Sequence, residues 1–273
     1  MTIKTIEGNI YDYPIYYDLI FGADWAAEFK FLEAAFAKHV TPAKKKSSKT
    51  GKATQELRLL EPACGTGRLI YRMAKAGYEC GGLDLNEKAI EYCNKRLAKY
   101  GLPESAWVAD MTDFTVDRPY DAAFNTINSF RHLSTEKLTL AHFRCLGEAI
   151  RPGGIYALGF HLTPSVGEAT DEERWSARRG HLMINTHMWP RDKDPKNRVE
   201  RFNLRFDVYR PTEQLRIDDC LVLRSYTFKQ FESMIAKTEH WEIEEVYDFR
   251  YDIKEPIEVD ESTEDVVYIL KRK

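Results

Sequence analysis

Leu57-Arg58-Leu59-Leu60-Glu61-Pro62-Ala63-Cys64-Gly65-Thr66-Gly67-Arg68-Leu69-Ile70 passes from an apolar strand through a glycine turn straight into a helix. That order puts a tight turn at the carboxyl edge of a parallel sheet, where α/β folds bind ligands. Glycines at 65 and 67 allow close backbone approach because no Cβ intervenes.

The alternation continues downstream. Glu79–Leu85 reads as a second strand, and Asn86 caps a helix that buries Ala89, Ile90, Cys93 and Leu97 and ends at Gly101. Trp107-Val108-Ala109 and Tyr120–Thr126 are strands three and four, followed by a helix over Thr135–Ile150. A turn at Arg151-Pro152-Gly153-Gly154 leads into strand five, Ile155–Leu162. Strands alternating with amphipathic helices predict an α/β fold: a doubly wound, mostly parallel, seven-stranded sheet with helices on both faces.

After Pro164 the period changes to two. His181–Trp189, Arg201–Arg210 and Ile217–Leu223 alternate apolar with polar residues, which predicts a β-rich insertion of half-solvated antiparallel strands after strand five. The core resumes with a helix over Thr227–Lys237 and strands at Trp241–Phe249 and Asp265–Leu270. Upstream, Trp25, Phe29, Leu32, Ala35 and Phe36 recur at helical spacing after an aromatic entry, and the lysine-rich Lys44–Lys52 stretch reads as a solvated loop. The division expected is 1–56 (aromatic lid, helix and Lys-rich loop), 57–164 (cofactor-binding core), 165–225 (β insertion) and 226–273 (remainder of the core).

Composition narrows the class. A chain of 273 residues with 43% hydrophobic and 30% charged content buries an ordinary core, and no apolar run approaches the roughly 20 residues that span a bilayer. No secretory leader is read at the start, so a cytoplasmic protein is expected. Five cysteines without a C-x-x-C pair argue against a disulfide framework or thiolate zinc, and no metal is expected. A net charge of -3 repels a phosphate backbone at long range, which disfavours nucleic acid as a partner.

The ligand class follows from three positions. A dinucleotide fingerprint calls for a third small residue at position 70, which is Ile. Asp84, at the tip of the second strand and about 20 residues past Gly65, suits ribose hydroxyls of either NAD or S-adenosylmethionine. Glu61 separates the two, because an acid there repels a pyrophosphate and suits a sulfonium with an α-amino group.

With Glu61-Pro62-Ala63-Cys64-Gly65-Thr66-Gly67, the chain resembles the class I S-adenosylmethionine-dependent methyltransferases over most of residues 10–270. The resemblance implies S-adenosyl-L-methionine as cofactor and S-adenosyl-L-homocysteine as product. It implies a cofactor site of Tyr17, Glu61, Ala63, Gly65, Gly67, Asp84, Leu85, Asp110, Met111 and Asn125. Within it, Asp84 would hold the ribose, Leu85 pack on the adenine, Asp110 accept from the adenine amino group and Tyr17 meet the methionyl end. Asp84 could instead cap a helix, Asp110 serve a turn, and the tyrosines fill a core.

More narrowly, Asn128-Ser129-Phe130-Arg131-His132-Leu133 after strand four and the N-terminal Tyr11–Gly22 segment resemble small-molecule methyltransferases, the latter their lid. An acceptor is expected beyond strands four and five, near Asn128, His132, His161 and Trp189. His132 and His161 are candidate acid–base or orienting groups, or ordinary hydrogen-bonding histidines. The expected activity is methyl transfer to N or O of a small molecule by a monomer or homodimer. The rivals are a methyltransferase acting on nucleic acid or protein and a non-catalytic adenosylmethionine-binding module. Asn125-Thr126-Ile127-Asn128 lacks the Asn/Asp-Pro-Pro-aromatic pattern expected for base amino groups.

Overall fold

The computed structural model describes residues 3–41, 57–166 and 172–273; the Lys44–Lys52 stretch lies outside them. In chain order the elements are β1 (Lys4–Glu7), α1 (Pro14–Phe21), α2 (Ala26–His39), β2 (Arg58–Pro62), α3 (Ile70–Lys75), β3 (Glu79–Asp84), α4 (Glu87–Lys99) and β4 (Ala106–Val108). They continue with β5 (Tyr120–Asn125), α5 (Glu136–Ala149), β6 (Ile150–His161), β7 (Glu173–Arg179), β8 (Leu182–Asp194), β9 (Val199–Arg210), β10 (Glu213–Arg224), α6 (Phe228–Ile235), β11 (Trp241–Tyr247) and β12 (Asp265–Arg272).

Seven strands form one sheet in the order β11-β12-β6-β5-β2-β3-β4, with β12 antiparallel to both neighbours and the β6-to-β4 half parallel. The centres of β2 (Leu59, Leu60) and β5 (Ala122, Ala123, Phe124) are apolar on successive residues because both faces are covered. One face packs Phe143 and Leu146 of α5 and Phe231 and Ile235 of α6; the other packs Phe31 and Phe36 of α2, Met73 of α3, and Cys93 and Leu97 of α4. The predicted α/β class and its seven-stranded sheet are thus the fold.

Arg151-Pro152-Gly153-Gly154 does not turn the chain between elements. It is an irregularity inside β6, where pairing with β5 jumps from Tyr120↔Ile150 to Ala122↔Ile155, and Gly153 supplies a φ of 78°. The aromatic entry before α2 is also more regular than its sequence suggested, since Pro14 opens α1 with its fixed φ.

The insertion is a sheet of its own, ordered β1-β10-β9-β8-β7. β7 to β10 are antiparallel, and β1 adds a parallel edge (Lys4↔Leu215), so the chain's beginning and its insertion share one sheet. Ile184, Leu204, Phe206, Val208 and Ile217 from its inner face bury Tyr16, Leu19 and Ile20 of α1. The sheet thereby carries α1 across the carboxyl edge of the parallel core. Among the described residues no helix is long and apolar enough to cross a membrane.

Candidate cofactor and acceptor site

The turn after β2 is built under backbone constraint. Ala63 (φ 54°), Gly65 (φ 51°) and Gly67 (φ 69°) occupy the left-handed region, which costs a non-glycine residue such as Ala63 about 1–3 kcal/mol. Gly67 is needed twice, because a Cβ there would sit 2.3 Å from the Cys93 sulfur of α4. Its role is to let α4 approach, and it lines none of the cavities described below.

Asp84 ends β3 facing this turn. One carboxylate oxygen accepts from the Gly65 amide and the other from the Asn86 amide, each at 2.8 Å, which ties the glycine turn to the α4 cap. Burial raises its pKa, against the pull of those amides. Around it lies a cavity of about 370 Å³ whose wall includes Asn9, Tyr11, Ala63, Leu85, Ala109 and Met111. Leu85 is 69% exposed at its edge, a large apolar side chain with no protein cover.

Asp110 is not on that wall. Its carboxylate folds back onto the Thr112 amide and hydroxyl, both at 2.8 Å, so the turn reading holds for its side chain. Met111 is on the wall, and its carbonyl accepts from His142.

Glu61 and Asn125 open onto a smaller recess of about 50 Å³ together with Ala63, Gly65, Arg68 and Tyr17. Glu61 is buried, and burial pushes its carboxyl well above the ordinary range. Asn125 donates to the Pro62 carbonyl at 2.7 Å. One oxygen of each, Glu61 Oε2 and Asn125 Oδ1, is buried with no partner among the described residues. Two orphaned acceptors on one recess fit a donor-rich cation such as an α-ammonium, since a buried acceptor left unpaired is costly.

A second cavity, of about 420 Å³, lies between the core's carboxyl edge and the inner face of the antiparallel sheet. Asn128, His132 and His161 all line it. Asn128, at φ 55°, accepts from the His161 amide at 2.9 Å. His161 Nδ1 lies 2.6 Å from Asp265 Oδ1. A carboxylate only accepts, so Nδ1 donates, and in the neutral tautomer that this selects Nε2 is the free acceptor. His132 Nε2 meets the Tyr11 hydroxyl at 3.0 Å, and desolvation in the cavity wall, reinforced by Arg131, lowers its pKa. Burial raises the Tyr11 hydroxyl well above its usual range and pushes Tyr17 up to about 12.

Trp189 is not at this cavity. Its neighbours Met188 and Pro190 line it, while Trp189 stacks on His187 at 4.3 Å and lies under Arg205 on the opposite face of β8. Residues not singled out from sequence include Asn9, Thr66, Asn86, Ser129 and Asp265. Ser129 lay inside a quoted motif and Asn86 was read as a cap, whereas Asn9 and Asp265 reach the site through long-range packing.

The two large cavities abut. Tyr11, Tyr17, Ser129 and His132 line both, and Tyr17 and Ser129 also line the recess. A strand-turn-helix unit beside two abutting cavities is the arrangement of the class I methyltransferase fold.

Residues 59–154 match the methyltransferase domain family. That segment, the parallel core with the turn after β2, is an S-adenosylmethionine-dependent methyltransferase domain. The chain is 22% identical over 179 residues to the putative methyltransferase YqeM of Bacillus subtilis (strain 168), a match spanning 65% of this chain and 71% of the relative. It is 29% identical over 147 residues to the dTDP-3-amino-3,4,6-trideoxy-alpha-D-glucopyranose N,N-dimethyltransferase of Streptomyces venezuelae, spanning 53% of this chain and 55% of that one. The crystal structure of an S-adenosylmethionine-dependent methyltransferase from Clostridium acetobutylicum ATCC 824 superposes with a TM-score of 0.73 at 16% identity, covering 96% of this chain and 99% of the other. At that identity the likeness is one of fold.

Proposed function

We propose that this enzyme methylates the nitrogen of a small-molecule amine held in the second cavity. The observation that carries the reading is the shared wall of Tyr11, Tyr17, Ser129 and His132, where donor and acceptor chambers meet. The donor side is assigned as follows: Asp84 to the ribose, Leu85 and Met111 to the adenine, and Glu61, Asn125 and Tyr17 to the methionyl end. S-adenosylmethionine, when bound, supplies an electrophilic methyl group on a sulfonium. The protein's part is to align the acceptor and exclude water. An amine needs only to lose its proton, and His161 Nε2, with Asp265 holding the ring, or His132 accepts it. The Streptomyces relative named for N,N-dimethylation supports nitrogen over oxygen.

The test is transfer of a labelled methyl group to a library of amines, alcohols, RNA and protein. Transfer to amines is expected, and transfer to RNA or protein alone overturns the reading. Calorimetry tests the donor assignment. Asp84→Ala should bind S-adenosylmethionine about a hundredfold more weakly, about 2.7 kcal/mol, and unchanged binding removes Asp84 from the site.

A further inference from the structure

The acceptor cavity has two features that together name a substrate class. Its roof is apolar: Trp175, Met188, Pro190, Phe202, Leu221 and Leu223 project from four strands of the antiparallel sheet onto it. Its charge is acidic, with Glu173, Glu200, Glu264 and Asp265 on the wall against two cations, Arg131 and Lys193.

Neither cation is set for a phosphate. Arg131 is buried in an ion pair with Glu200, and its Nε donates to the Arg224 carbonyl at 2.9 Å. A guanidinium already engaged on two sides has lost the bidentate fork that phosphates use. Lys193 is exposed and stands alone as the further cation on the wall among the described residues. A diphosphate brought there meets one lysine and more carboxylates than cations, and like charges in a partly desolvated cleft repel.

We infer that the acceptor is a cationic amine carried on an apolar body, with no phosphate or diphosphate group. This rests on the amine reading above and deepens it. The carboxylates attract the ammonium form into the chamber, the body lies against the sheet, and the proton leaves to a histidine before transfer. The dTDP-linked amino sugar after which the Streptomyces relative is named falls outside this class.

The full-length enzyme with S-adenosylmethionine is assayed on three probes: n-alkylamines of increasing length, ω-phenylalkylamines, and a dTDP-linked amino sugar. Each is measured as acceptor and as inhibitor. Affinity of the amines should rise about fourfold per methylene, the ratio that about 0.8 kcal/mol gives, and they should exceed the dTDP sugar in kcat/KM by at least about tenfold, as one net charge pair suggests. Glu173→Lys should narrow that gap, and Phe202→Ala should flatten the length dependence, with donor affinity unchanged in both.

A dTDP sugar preferred over the amines, or no dependence on apolar length, overturns the inference and leaves the amine reading standing. If no amine is methylated or inhibits while the donor binds normally in calorimetry, the amine reading itself falls, and the inference with it.

Discussion

The seven-stranded sheet and the five-stranded sheet bury their residues in different ways. The first is covered on both faces, so its central strands carry apolar side chains in succession, and the buried oxygens it leaves unpaired on β2 and β5, Glu61 Oε2 and Asn125 Oδ1, sit at the carboxyl edge. The second is covered on one face. That face serves α1 at one end through Phe206 and Val208 and the second cavity at the other through Phe202 and Leu204, all from β9. Its outer face carries Arg205–Asp218, Arg216–Asp207 and Arg201–Asp192, each directly opposed across strands at 2.6 Å. The core therefore holds the turn after β2, while the insertion lines the second cavity.

The largest effect is expected where the two sheets are joined. Arg131, just after β5, and Glu200 on β9 are both buried and paired, and Thr163 also donates to Glu200 at 3.0 Å. Glu200→Ala leaves an uncompensated buried guanidinium and should cost about 3–5 kcal/mol in denaturant unfolding. A loss below about 1 kcal/mol, the range of an exposed pair, would mean that the sheets are held by apolar contact alone.

The two regions should also answer to different solution conditions. In the core, His142 donates from Nδ1 to the Met111 carbonyl at 2.9 Å, so its Nε2 accepts from the Tyr156 hydroxyl at 3.1 Å. Protonation breaks that second bond, and burial lowers the pKa from 6.5 to about 4. Between those values the unfolded chain binds the extra proton. The stability is therefore whole above pH 6.5 and lost as pH falls toward 4, on the order of 3 kcal/mol. His142→Gln should start lower at pH 7 and show a shallower acid limb in melting temperature; an unchanged limb refutes the assignment.

Legibility in the sequence divides along the same line. The turn after β2, Asp84 and the helix caps were readable because their signals are local: glycine at positive φ, an acid at a strand tip, a cap before an apolar helix. The insertion was readable as strands but not as a surface. Period two says that β8 has two faces, and nothing in His181–Trp189 says which one meets a cavity; it is Met188 and Pro190, with Trp189 opposite. β1 has four residues and pairs with a strand more than 200 positions away, so no pattern announced it. Asp110 shows its turn role first, because an Asp in a turn satisfies its own neighbours.

Between the two regions, Asp18 ties α1 to the turn after β2, to α4 and to β7. It is buried and accepts from the Thr66 hydroxyl of the cofactor turn (3.2 Å), the Tyr92 hydroxyl of α4 (3.1 Å) and Arg179 of β7 (3.2 Å), and is paired with Arg96. Burial alone would raise its pKa, but Arg96 and then Arg179 outweigh it and hold it low. Asp18→Asn keeps the shape and removes the charge. It should speed donor release and weaken donor binding by about tenfold, about 1.4 kcal/mol, in stopped-flow and calorimetry. Unchanged release would mean that α1 stays closed on its apolar contacts with the sheet.

The smallest effect is expected on the outer face of the antiparallel sheet. Asp207 and Arg216 sit opposite each other at 2.6 Å with side chains 19% and 31% exposed. An ion pair in such contact with solvent is worth about 0–1 kcal/mol and is screened by salt. Asp207→Asn should therefore lower the denaturation midpoint slightly in dilute buffer, and the difference should vanish near about 0.5 M salt. A persistent loss of several kcal/mol would require a low dielectric around the pair, which an open face does not supply.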